Sequence, residues 1–193
     1  MPLQHEASST IEPIVAAGAI QNCGAVIGKR IAAAGHASSE SATIAAAVPD
    51  PAAQLAIDDK IAHPILIGRP AVIAARIEKA GLRMQIGKDV EVCNPEDDPR
   101  FRQYWETYHQ LMKREGATPE VAKAAVRRSN TIIASLMVKL GDADAMICGT
   151  FGEYHWHLRN ITDILGLAPG MHKTAALSLL ILYSGPLFIC DTF

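Results

Sequence analysis

Aromatic residues are scarce in this chain, at 5% of 193 positions. No hydrophobic run approaches the ~20 residues that a membrane-spanning helix needs. The longest, residues 175–183, suits a buried strand or a short helix, so no membrane partner is expected. Excess positive charge is also lacking. With 18 basic and 20 acidic residues the net charge is −2, which argues against the basic surface of a nucleic-acid binder. The opening stretch MPLQHEASST carries an acid and none of the basic-then-apolar pattern of a signal peptide. Cysteines number four: Cys23, Cys93, Cys148 and Cys190. None belongs to a CxxC pair, and three lie in apolar runs, where a thiol packs as a small hydrophobe. A reducing cytoplasm fits this usage. The sequence contains no GxGxxG, GxxxxGK[ST], HExxH or GxSxG, so the common nucleotide, zinc-protease and serine-hydrolase signatures are all missing.

What is present divides near residue 60. Residues 1–59 are rich in Ala, Ser and Gly, and so much alanine buries little area per residue. This segment is expected to be poorly anchored. Within it, SSES (38–41) ahead of ATIAAA predicts a helix start, with Pro49 and Pro51 breaking that helix. From residue 60 to 193 the signals alternate. PILIG (64–68) reads as a buried strand, and Pro70 opens a helix that Gly81 stops. VEVC (90–93) reads as a second strand. The next helix carries Phe101, Tyr104, Trp105, Tyr108 and Leu111 at spacings of three and four, a stripe that belongs to the core. Thr118-Pro119-Glu120 combines a hydroxyl cap, a first-turn proline and an acid against the dipole, and predicts one helix reaching Leu140. AMICG (145–149) is a third strand, followed by a helix from Glu153 and two further apolar runs at 175–183 and 186–190.

Strands separated by helices predict an α/β fold, with a mostly parallel sheet and right-handed crossovers. Ligands in such sheets collect outside the carboxyl ends of the strands. That places residues 68–70, 94–97, 149–152 and 191–193 around one rim. His155 and His157 flank Trp156, but residues two apart on a helix face away from each other, so no metal site is expected there.

The phrases HPILIGRP (63–70), NPEDDPRF (94–101), GDADAMICGTFGE (141–153) and LFICDT (187–192), in this order, resemble the phosphate acetyl/butyryl transferase family. They are most similar to the phosphotransacetylase-like C-terminal domain of hybrid NADP-dependent malic enzymes. The resemblance covers about residues 60–193 and implies a phosphotransacetylase-like (isocitrate/isopropylmalate dehydrogenase-like) fold, helices on both sheet faces, of which this chain is expected to hold the first half. It implies acetyl-CoA or a related acyl-CoA as ligand or effector. NADP and a divalent metal would belong only to the malic-enzyme domain upstream, and homo-oligomers are expected.

Carried over residue by residue, the resemblance places Arg159 as a grip for a phosphate of CoA, Thr150 as a strand-end hydroxyl donor, and Asp191 as a cleft-facing carboxylate. No catalytic residue is assigned. Three departures matter. The acidic segment that should follow LysArgIle at 29–31 is missing. Met112 stands where transferases carry an arginine, and Gly152, Glu153 and Tyr154 replace small polar residues. Three functions therefore stay open: an acyl-CoA-binding regulatory domain of a malic enzyme, a phosphate acetyltransferase, and an oligomerisation domain without ligand. The departures favour the first, with the chain inactive as a catalyst alone.

Overall fold

The computed structural model describes residues 25–28, 42–46, 51–148, 152–175 and 177–190. Two sheets occur among them. Strands β1 (Ala25–Gly28), β2 (Ala42–Ala46), β3 (Ala62–Ile67), β4 (Glu91–Cys93) and β5 (Ala145–Cys148) form one, in the order β1-β5-β2-β3-β4. β2 pairs in parallel with both β3 and β5, and β3 with β4, while β1 runs antiparallel along β5. The expected mostly parallel α/β sheet is therefore present.

Helices cover both faces. Successive side chains on a strand point to opposite sides, and β3 shows it. Ile65 and Ile67 enter the larger core, packed beneath α3 (Phe101–Met112), α4 (Pro119–Arg128), α5 (Asn130–Leu140) and α6 (Tyr154–Leu165). Leu66 enters a smaller core with Ile73 and Ile77 of α2 (Pro70–Lys79) and Ile57 of α1 (Pro51–Asp58). Residues 131–138 of α5 are buried without interruption, so this helix lies at the centre of its layer rather than on the surface. The aromatic stripe on α3 is core, as its spacing predicts: Tyr104 is fully buried, with Phe101, Trp105, Tyr108 and Leu111 packed beside it.

Three expectations need correction. The single helix expected from residue 118 to Leu140 is two, broken at Ser129, whose extended backbone ends α4 and whose Oγ accepts from the Ile132 amide at 3.2 Å to cap α5. Serine offers the backbone this alternative to a continuing helix, which is why the break falls there. The helix expected after residues 38–41 is instead β2, because a slot between β3 and β5 supplies ladder partners on both sides. Alanine's helix propensity is worth only tenths of a kcal/mol per residue and yields to such pairing. Pro51 then starts a helix rather than stopping one. Finally, the apolar runs near the end do not join the main sheet. They form an antiparallel hairpin, β6 (Leu177–Leu182) with β7 (Gly185–Cys190), in which Leu182 pairs with Gly185 across a two-residue turn.

Candidate functional site

All four parallel strands finish on one edge, where Ala46 pairs with Leu66, Ile67 with Cys93, and Ala46 with Ile147. The rim is closed between β3 and β4 by the Gly68 amide, which donates to the Cys93 carbonyl at 2.9 Å. Breaking the long helix at Ser129 has a consequence here, since it delivers the first turn of α5 to the rim. Asn130 donates from Nδ2 to the Ile67 carbonyl at 3.4 Å. Thr131, almost fully buried, meets the Nδ1 of His157 on α6 at 2.9 Å. The first turns of α5 and α6 are thus tied through one threonine hydroxyl. Gly152, just before α6, completes the knot. Its φ is +98°, and a Cβ built there would stand 2.9 Å from His157 Nε2, so the position needs glycine for both conformation and space.

On the other side of the rim, Arg100 grips Asp98 with two parallel hydrogen bonds of 2.9 Å and reaches Glu91 at 2.6 Å. Burial alone would raise the Asp98 carboxyl, but side-chain and backbone hydrogen bonds from Arg100 outweigh it and hold the carboxyl below its ordinary value. The Cys93 thiol is pushed far up by burial and by its hydrogen bond to Asp98. Burial likewise pushes the Cys148 thiol up to about 11, with Thr131 offsetting only part of the rise. Both thiols are therefore protonated at neutral pH, and neither is a ready nucleophile. The rim can bind and orient; its two buried thiols do not supply attack.

Arg159 sits on α6, about one and a half turns beyond the rim at 1.5 Å per residue. Its guanidinium is 77% exposed and leans toward Asp163, at 3.6 Å, away from the rim. Thr150 and Asp191 lie outside the described residues, as does the LysArgIle stretch at 29–31. Of the three expected binding residues, Arg159 alone lies among the described residues. Met112 is half-buried at the last position of α3. His155 is exposed on α6 while His157 turns inward to Thr131, and among the described residues no group of three His, Cys, Asp or Glu could hold a metal ion. Sequence reasoning missed Asn130, Thr131 and the Asp98–Arg100 pair. The Ser-Asn step at 129–130 was the available signal, since both residues favour helix starts over helix interiors.

The comparisons with known proteins give the family to which this fold belongs. Residues 37–193 match the family model described as phosphate acetyl/butaryl transferase. The chain belongs to that family. It is 49% identical over 133 residues to the NADP-dependent malic enzyme of Salmonella typhimurium, covering 69% of this chain and 18% of that protein. The NADP-dependent malic enzyme of Escherichia coli matches with the same identity and coverage. The phosphate acetyltransferase of Nitratidesulfovibrio vulgaris is 28% identical over 131 residues, 68% of this chain and 18% of that protein. The chain thus spans less than a fifth of the length of these relatives. Among solved structures, the EutD phosphotransacetylase from Staphylococcus aureus superposes with a TM-score of 0.63 at 18% identity, over 77% of this chain and 45% of that one. That likeness gives the phosphotransacetylase-like fold. Taken together, the chain is a phosphate acetyltransferase-like domain related to part of the malic enzymes.

Proposed function

We propose that this domain binds an acyl-CoA, acetyl-CoA in the first instance, and passes its occupancy to the malic-enzyme part of a longer protein, changing the oxidative decarboxylation of malate to pyruvate there. NADP and the divalent metal of that reaction would belong to the other part. The observation that carries the reading is the contrast in identity: 49% to malic enzymes against 28% to a phosphate acetyltransferase over nearly the same stretch. Chemistry at the rim supports it. A transferase needs anion-stabilising donors and an activated group in place. Here the two rim thiols stay protonated, and Met112 offers no charge where transferases resembling this chain carry an arginine. What the rim does offer is suited to holding a ligand: four strand ends and the tied first turns of α5 and α6, with an exposed guanidinium farther along α6 that has one loose partner. The three cysteines among the described residues are unpaired, in keeping with a reducing cytoplasm.

Calorimetric titration of the chain with acetyl-CoA tests this, run beside a thiol-release assay with acetyl-CoA and phosphate. Saturable binding without turnover is the expected result. Turnover on the order of 1–1000 per second, the usual enzyme range, would establish a phosphate acetyltransferase instead. Absence of any binding would leave the oligomerisation reading.

A further inference from the structure

The HWH stretch at 155–157, unsuited to a metal, forms the first turn of α6 beside the rim. Trp156 is 47% exposed there, although it is among the largest apolar side chains in the chain. Its position is nonetheless built. The indole meets the His157 ring edge-on, with centroids 5.1 Å apart and planes at 84°. His157 is itself held by Thr131 at 2.9 Å. Asn160 adds a tie to the backbone, donating from Nδ2 to the Trp156 carbonyl at 2.7 Å.

Arg159 follows three positions later. Residues at i and i+3 share a helix face, with Cβ atoms about 5–6 Å apart. An exposed aromatic plane therefore stands one turn from an exposed guanidinium whose contact to Asp163 is long, at 3.6 Å. The two groups select different chemistry. A flat heterocycle stacks on an indole, and a phosphate takes two parallel hydrogen bonds from a guanidinium. A free inorganic anion would use only the arginine, and an apolar surface would use only the tryptophan. An adenosine phosphate uses both, because its base and its phosphates are joined through one sugar.

We propose that Trp156 and Arg159 form an adenosine-phosphate subsite, with the purine stacked on the indole and a phosphate on the guanidinium. The inference rests on the acyl-CoA reading and narrows it: α6 holds the nucleotide end, leaving the thioester to the strand ends. Phosphate binding draws Arg159 away from Asp163.

Three probes separate the possibilities: acetyl-CoA, 3′-phosphoadenosine 5′-diphosphate as the nucleotide half of CoA, and S-acetylpantetheine as the other half. Each is titrated into the Trp105→Phe chain, where Trp156 is the sole indole, by fluorescence and by calorimetry. Acetyl-CoA and the nucleotide should quench the indole, and acetylpantetheine should not. Trp156→Ala should weaken both nucleotide-bearing probes about tenfold, within the range for loss of one base stack, and Trp156→Phe should keep part of the affinity. Arg159→Ala should weaken them similarly, with Arg159→Lys recovering a part. If acetyl-CoA binds without quenching and Trp156→Ala binds as well as the parent, the subsite is wrong and the acyl-CoA reading stands. If the nucleotide quenches but acetyl-CoA does not bind, the subsite stands and the acyl-CoA reading falls. If no probe binds, both fall. Should Trp105→Phe not fold, calorimetry on the unaltered chain and on Trp156→Ala makes the same comparison.

Discussion

Arg100 shows how much of this rim is carried by single side chains. Its partner Asp98 has a side chain only 5% exposed, and Arg100's own is 25% exposed, so the pair is largely withdrawn from water. Removing one member of a buried pair strands the other charge, at a cost of about 3 kcal/mol. Arg100→Met keeps much of the stem's packing and loses the fork, and urea unfolding at pH 7 should show a loss of about that size. The sign of the pH dependence follows from Asp98. Its carboxyl is held below the ordinary 3.8 in the folded chain, so the pair's contribution is complete above that value and fades as pH falls through the folded value. The gap between parent and variant should therefore narrow in strong acid. A gap independent of pH would mean that Arg100 acts through packing alone. None of this was legible from NPEDDPRF, which as a sequence reads as a turn followed by a helix; which of its four charges meet depends on where β4 delivers them.

Between residue and fold, the elements were readable wherever local chemistry and tertiary setting agree. Pro70 and Thr118-Pro119 open α2 and α4 where the sequence places them, and the Thr118 hydroxyl accepts from the Val121 amide at 3.3 Å. They failed where tertiary pairing decides, as in β2, whose alanines take a strand between two others. Ser129 is the instructive case. Read along the chain it is one polar residue within a helical pattern; in the fold it is a buried cap that turns the chain and sets Asn130 and Thr131 on the rim. Ser129→Ala should cost about 1 kcal/mol, the usual value for a lost cap. Because the cap also aims α5, acetyl-CoA affinity should fall by more than the stability change explains, whereas Thr118→Ala, capping α4 away from the rim, should lower stability alone. Equal effects of the two substitutions on affinity would show that the α4–α5 break has no bearing on the site.

For the whole molecule, the α/β class and a rim at the carboxyl ends of β3, β4 and β5 were legible from strand and helix alternation. The fate of the last two apolar runs was not, because an apolar run looks the same whether it enters a central sheet or stands apart. Among the described residues β6 and β7 pair only with each other, and residues 177–190 contain no charged side chain. Leu177, Leu180, Leu182, Leu187, Phe188 and Ile189 are all more than 40% exposed. Proteins guard such edges with lysine, proline or a bulge. Pro186 lies next to the turn and protects little of the strand beyond it, so among the described residues the outer edge from Leu187 to Cys190 has no strand partner. Self-association through this hairpin is the expected consequence at tens of micromolar, roughly the range in which exposed edges associate. Light scattering on the parent should show species larger than a monomer. Phe188→Lys, which charges one face without touching either core, should shift the population toward monomer and leave the thermal midpoint nearly unchanged, as expected for an exposed position. A parent that scatters as a clean monomer would show that the hairpin is not an association surface. A Phe188→Lys chain that associates as strongly as the parent would move the contact to another face.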